Sequence, residues 1–185
     1  DVFVLSVVAH GFRISVLDSF PGVLRQITVT PRETRLVSSI RSEIESLILK
    51  NAIVQVNDFP FLCLSPIFVV PKKSGDLRVV LNLKNINVYI PIQHFRMETL
   101  NVILPQISSR DWAVTIDLKD AYLHVPIHQH SRRLLGFMFL DQTYCYKVLP
   151  FGLKDSPWVF SRLVATVMGH LRLLGIRIFY YLDDW

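Results

Sequence analysis

An apolar run rich in β-branched and aromatic residues, Ile176-Arg177-Ile178-Phe179-Tyr180-Tyr181-Leu182, closes on two adjacent acids, Asp183 and Asp184. Such a run reads as a buried strand. A buried strand rarely ends in neighbouring carboxylates unless something neutralises them. Upstream, a second strand-like run, Trp112-Ala113-Val114-Thr115-Ile116, also ends in an acid, Asp117. If the two strand ends lie side by side, their carboxylates make an oxygen-rich site suited to Mg²⁺, with Mn²⁺ as the alternative ion. Neighbouring side chains of a strand face opposite ways, so Asp183 and Asp184 can splay around one site only at a tight turn. Asp183 is expected to be the nearer partner of Asp117. Two ions about 3.5–4 Å apart would need shared carboxylates and substrate phosphates. Spacing alone equally permits a solvated turn at 183–184, with Asp117 capping a helix.

A chain of 185 residues, 51% hydrophobic and 19% charged, can bury a real core as one domain, or one domain with a lobe. Its mean hydropathy of +0.37 raises the membrane question. No uninterrupted apolar run reaches the roughly 18–20 residues of a span, so no membrane partner is expected. The opening Asp1-Val2-Phe3-Val4-Leu5-Ser6-Val7-Val8 has neither a starting Met nor a basic stretch, which argues against a signal peptide. With the stop at Trp185, it suggests an excerpt of something longer. A net charge of +5 is a modest bias towards phosphate-bearing partners. Cys63 and Cys145 sit in apolar surroundings without a pairing pattern, consistent with a reduced, intracellular setting.

Thr30-Pro31-Arg32-Glu33 predicts a helix start, with Thr30 as N-cap and Glu33 completing a capping box. Leu36, Ile40, Ile44, Leu47 and Ile48 continue at helical spacing until Asn51 closes the helix in a left-handed conformation. Ile67-Phe68-Val69-Val70 and Leu77-Arg78-Val79-Val80-Leu81 flank a Gly-containing turn and predict a hairpin. Residues 97–104 have helical character. A second hairpin is expected around Asp141-Gln142. A second helix opens with Ser156 as N-cap and Pro157 at its first position, and ends at Gly175. Helices interleaved with hairpins favour an α+β fold with an antiparallel sheet.

Other residues carry chemistry only in combination. Tyr122, in Asp117-Leu118-Lys119-Asp120-Ala121-Tyr122, can stack under a sugar and exclude a 2′-hydroxyl, or serve as an ordinary core tyrosine. Lys72, Lys73 and Arg78 flank a hairpin turn, where cations can close over a triphosphate or simply be solvated. Leu149-Pro150-Phe151-Gly152-Leu153-Lys154-Asp155-Ser156-Pro157 is a punctuated loop entering a helix. Its glycine permits close backbone approach and Lys154 can meet a phosphate, although a plain connection has the same composition. His124, His128 and His130 cluster without a fourth zinc ligand at reasonable spacing.

Taken together, four segments in order resemble a reverse transcriptase. Ser65-Pro66-Ile67-Phe68-Val69-Val70-Pro71-Lys72-Lys73-Ser74-Gly75 resembles the fingers hairpin, and Ile116-Asp117-Leu118-Lys119-Asp120-Ala121-Tyr122 the first catalytic motif. The 149–157 segment resembles the following loop and helix start, and Tyr181-Leu182-Asp183-Asp184 the catalytic turn. His10-Gly11-Phe12-Arg13-Ile14 resembles retroelements of the tyrosine-recombinase (DIRS-like) group.

The resemblance implies an N-terminal extension over 1–29, fingers and the start of the palm over 30–110, and an incomplete palm over 111–185. It implies two Mg²⁺ at Asp117, Asp183 and Asp184, with Lys72 and Arg78 on the triphosphate. Asp120, Ala121, Phe151 and Gly152 would lie against the incoming dNTP, Tyr122 would be the sugar gate, and a template (RNA or DNA, with its primer) would run near Lys154 and Pro157. The implied reaction is attack of a primer 3′-hydroxyl on the α-phosphate.

Phe151 stands where many retroviral enzymes carry glutamine. Asn82 and Lys84 replace an acid and an arginine common after the fingers hairpin. With the returning strand, primer grip and thumb expected beyond Trp185, the isolated chain is expected to extend primers poorly, its catalytic turn frayed. Two other readings remain. A viral RNA-dependent RNA polymerase is disfavoured by Tyr122 and by Leu182 before the paired acids. A non-catalytic remnant would only bind nucleic acid.

Overall fold

The computed structural model describes residues 1–26, 33–57, 59–71 and 77–185. In chain order, helix α1 (Val2–His10) and strand β1 (Leu24–Arg25) precede α2 (Thr34–Leu49), β2 (Ile53–Gln55) and β3 (Cys63–Leu64). The hairpin β4 (Ile67–Pro71) and β5 (Leu77–Leu81) follows, with short helices α3 (Lys84–Asn87) and α4 (Leu100–Ile103) after it. Hairpin β6 (Gly136–Phe139) and β7 (Gln142–Tyr146) then leads to α5 (Ser156–Leu173). The fold is α+β, as the sequence implied.

The sheet departs from the antiparallel expectation. Its order is β1-β3-β6-β7-β2, and both pairings on the β1 side are parallel. Only the β6–β7 and β7–β2 pairings are antiparallel. Hairpins supply antiparallel neighbours, whereas β3 reaches β6 across a connection of some seventy residues, which leaves direction free. This one sheet takes strands from both sides of residue 110. Its centre is buried. Phe137 is fully buried and stacks on Tyr144 at 5.2 Å between ring centroids, with Tyr146 at 5.9 Å.

Local signals explain most boundaries. In α2, Ile40, Ile44 and Leu47 recur on one face and are buried, and Asn51 has φ 56° as expected. Thr30 and Pro31 lie outside the described residues. Glu33 occupies the N-cap itself, extended (φ −75°, ψ 117°) and without a side-chain cap bond, so it cannot complete a capping box from the third position. The β6–β7 turn centres on Leu140 and Asp141, at φ 46° and 60°, one residue earlier than expected. Two left-handed central residues match the twist of the flanking strands. In the 97–104 segment, α4 covers 100–103 and a 3₁₀ turn, Leu104–Gln106, follows.

Helix α5 buries Val159, Phe160, Val164 and Met168. It ends in a Schellman motif: Gly175 at φ 81° donates to the Arg172 carbonyl, and Ile176 to that of Leu171. Its N-cap is Asp155, not Ser156. The Ser156 hydroxyl turns inward and donates to the Pro150 carbonyl at 2.9 Å, which removes it from capping. Asp155 is itself buried, and its Oδ1 has no hydrogen-bond partner among the described residues.

Burial pushes the Asp155 carboxyl up from 3.8 to about 6, against the pull of Lys154. Between about pH 4 and 6 the folded chain therefore holds a proton that the unfolded chain has released, and stability falls as pH rises through that window. Asp155→Asn is expected to flatten this dependence and to stabilise the fold at pH 7 by on the order of 1–3 kcal/mol. Urea titrations at pH 4.5 and 7 measure both effects. A variant as pH-sensitive as the parent would refute the assignment.

The N-terminal residues are part of the core. Phe12 pairs with Ile127 in a parallel bridge, donating to the Pro126 carbonyl and accepting from His128 N–H. Phe3 of α1 meets Trp158 of α5 at 5.0 Å between rings. By contrast, of the two runs read as buried strands, 112–116 is exposed throughout and 176–182 is buried only at Tyr180. Trp112 is 99% and Val114 84% exposed, and Ile176 is 47% exposed. Only Ile178 and Tyr180 of residues 176–182 pack against or within the core. These runs meet a ladder only at their acidic ends, so their apolar faces have no sheet neighbour to lie under.

Candidate active site at the acidic strand ends

Tyr181 and Asp184 exchange backbone hydrogen bonds of 2.8 and 3.1 Å, closing a reverse turn with Leu182 and Asp183 at its centre. Leu182 takes the positive φ (55°) that such a hairpin turn requires at its first central position. The returning backbone pairs at once with the 116–118 segment. Ile116 and Trp185 exchange bonds of 2.8 Å, and Leu118 N–H donates to the Asp183 carbonyl at 2.9 Å.

That register places Asp117 directly opposite Asp184 as an antiparallel pair lying between the hydrogen-bonded ones. Side chains of such a pair share one face, with Cα atoms about 4.5 Å apart. The ladder partner of Asp117 is thus Asp184, because the turn occupies 182–183. Asp183 lies close enough to Tyr122 that, after burial, its charge is the second cause raising the phenol above its ordinary range.

No group of three His, Cys, Asp or Glu among the described residues closes around one point. The facing Asp117–Asp184 pair still suits Mg²⁺, an ion held through one or two carboxylates with substrate phosphates and water completing its octahedron. Both donors are hard oxygens, with no thiolate or imidazole in the ladder to favour a softer metal.

Around the acids the structure gathers several expected residues. Tyr122 follows buried Ala121 in a 3₁₀ turn, and its ring meets Phe151 at 5.1 Å and Phe160 at 5.5 Å. The Arg78 guanidinium of β5 lies 5.1 Å from the Phe151 ring centroid. Arg78, Phe151 and Tyr122 therefore form one run of contacts, with the Tyr122 and Phe151 rings tilted at 50° and Asp183 acting on the Tyr122 end. Gly152 has φ 93°, and a Cβ there would come within 3.1 Å of the Leu81 carbonyl, so glycine lets this loop press against β5.

Other expected residues are engaged elsewhere. Asp120, at φ 57°, pairs with Lys50 at 2.9 Å. The Lys154 amine donates to the carbonyls of Ile90 at 2.6 Å and Asn87 at 3.4 Å. Carbonyls at and just after the end of a short helix attract a cation. Pro157 is half-buried in the first turn of α5. Lys72 lies outside the described residues. His124 contacts the Lys119 carbonyl at 3.1 Å, apart from the His128–His130 pair.

Asn87 is not legible in the sequence as a functional residue. Its amide donates to the Gly152 carbonyl at 2.7 Å and its Oδ1 accepts from Lys154 N–H at 2.9 Å, so one side chain latches the loop on both sides of Leu153. The partners lie 65 and 67 residues away, and no local pattern announces them. Asn82, which stands where an acid is common, has a local task of its own: its Oδ1 accepts from Lys84 N–H at 3.2 Å at the start of α3.

Residues 70–185 match the family model described as reverse transcriptase (RNA-dependent DNA polymerase). The Pro-Pol polyprotein of Simian foamy virus type 3 (strain LK3) is 27% identical over 164 residues, covering 89% of this chain and 14% of the polyprotein. A crystal structure of the Prototype Foamy Virus protease-reverse transcriptase, CSH mutant, aligns with a TM-score of 0.75 at 25% identity, over 93% of this chain and 22% of that one. A foamy viral protease-reverse transcriptase in complex with double-stranded DNA aligns with a TM-score of 0.68 at 24% identity, over 93% of this chain and 28% of that one. The chain spans a small part of each of these proteins.

Proposed function

Because this chain belongs to the reverse transcriptase (RNA-dependent DNA polymerase) family, we propose that it carries the catalytic centre of an enzyme adding dNTPs to a primer 3′-hydroxyl on an RNA or DNA template. The observation that carries the proposal is the facing Asp117–Asp184 pair, next to Asp183, together with the Tyr122–Phe151–Arg78 contacts. In this reading Asp117, Asp183 and Asp184 hold two Mg²⁺, with Mn²⁺ as a substitute. Bound there, the ions neutralise phosphate charge and make the 3′-hydroxyl more acidic.

The chain's own residues supply position. Arg78, with Lys72, draws the triphosphate towards the hairpin. Ala121 and the Gly152 backbone leave room for the nucleotide, with Asp120 at the rim in its pair with Lys50. Tyr122 underlies the sugar and its ring occupies the space a 2′-hydroxyl would need. Phe151 braces that ring. Pro157 and the backbone at Lys154 set the edge along which a template would pass.

Primer extension on an RNA template, in the complete reading frame and with Mg²⁺, tests this. The parent is expected to prefer dNTPs, and Tyr122→Ala to lose about 10–200-fold of that preference, the range of a steric pocket change. Unchanged discrimination would remove the gate assignment. Salt-sensitive binding of template–primer without any extension would instead support a non-catalytic remnant.

A further inference from the structure

On the side of the molecule built by the N-terminal residues lies a cavity of about 410 Å³, floored by Val7 and Phe12 and rimmed by Ser6, His10, Arg13 and His128. Two backbones form it and are tied tightly. The Phe12–Ile127 bridge holds them in register, and a Cβ on Gly11 would sit 2.6 Å from His128 N, so the approach is as close as glycine permits. Ile14 N–H donates to Ser131 Oγ at 3.0 Å and pins the next turn of the chain.

The hydrogen bonding at His128 does not close. Arg13 Nη2 lies 3.2 Å from His128 Nε2, and a guanidinium can only donate. The backbone N–H of His130 is directed at His128 Nδ1 at 3.3 Å, and it too can only donate. A neutral imidazole accepts at one nitrogen, so it satisfies one of these donors; a protonated one satisfies neither. The charged and titratable groups that act on the ring are Arg13, His130, His10 and Arg132, all of them basic. The His130 ring lies 5.1 Å from that of His128. This cluster has more donors than acceptors, with His10, Arg13 and His128 on the rim of the recess and His130 beside it.

We propose that Arg13, His128, His10 and His130 form a phosphate-binding site, in which phosphoryl oxygens accept the N–H groups that His128 cannot. The phosphate belongs either to a nucleic-acid backbone or to a free phosphate species; the recognition chemistry is the same. Desolvation and its basic neighbours hold the His128 ring below the ordinary imidazole range, and a bound phosphate opposes that shift, so binding strengthens as pH falls. The site does not depend on the proposed polymerase centre.

The test uses the 185-residue chain with ¹⁵N-labelled histidine. The imidazole signals are followed by NMR against inorganic phosphate and, separately, against a hexauridylate whose backbone charge is constant between pH 5.5 and 7.5, with NaCl matched throughout. Saturable shifts centred on His128 are expected, with Arg13→Gln and His128→Gln each weakening affinity at least tenfold and Asp117→Asn leaving it unchanged. Tighter binding at pH 5.5 than at 7.5 is expected for hexauridylate. Competition between hexauridylate and phosphate assigns the site to a nucleic-acid strand; binding of phosphate alone assigns it to a free species. The proposal is overturned if neither probe shifts His128, or if both variants, shown folded by their spectra, bind like the parent.

Discussion

Asp117→Asn is expected to lower Mg²⁺-dependent primer extension by at least about a hundredfold, the low end for removing a group that meets developing charge, while making the fold slightly more stable. The second effect follows from the ladder. Asp117 and Asp184 face each other across antiparallel backbone, and like charges so placed repel by about 0.2–1 kcal/mol. Neutralising one relieves that repulsion and raises Tm by about 1–3 °C in a domain of this size.

Added Mg²⁺ reverses the order. A ligand at ten times its Kd stabilises the folded state by about 1.4 kcal/mol, so the parent gains Tm with Mg²⁺ and the variant gains less. Calorimetry with and without the ion, alongside extension assays in the complete reading frame, reads both signs. Full activity in Asp117→Asn would defeat the metal-site proposal. A variant destabilised equally with and without Mg²⁺ would show that the side chain is structural.

Phe137→Ala is expected to cost about 3–5 kcal/mol, the loss that follows truncation of a fully buried aromatic ring. Phe137 stands on β6, between β3 and β7, and is fully buried. Its ring lies nearly parallel to that of Tyr144, at 20°, with Tyr146 on its other flank. Truncation leaves a void that neighbours in a five-stranded sheet cannot collapse to fill, because their backbones are fixed by the ladder. The corresponding fall in Tm is about 6–20 °C. Urea denaturation measures it directly, and a loss below about 1 kcal/mol would mean that the sheet centre repacks freely.

Elements whose cause is local were legible in the sequence. The β4–β5 hairpin, the buried face of α2 and the glycine stop of α5 follow from spacing and turn chemistry within a few residues. The candidate carboxylates were legible for the same reason, since each closes an apolar run. What could not be read depends on distant partners. Whether Asp117 faces Asp183 or Asp184 is decided by register, and register follows from where the turn places its left-handed residue, Leu182. The destination of the Lys154 amine and the role of Asn87 are set by residues more than sixty positions away. The parallel pairings of β1 and β3 leave no mark in strands of two residues.

The latch at Asn87 makes tolerance to change lopsided. On the loop side it grips only main-chain atoms, the Gly152 carbonyl and the Lys154 N–H, and every residue but proline offers that N–H at 154. On the helix side both of these bonds pass through one amide, and no other neutral side chain of that length presents a donor and an acceptor together. The latch itself therefore tolerates a changed side chain at 154 but not at 87, a position that touches no substrate in the proposed reading.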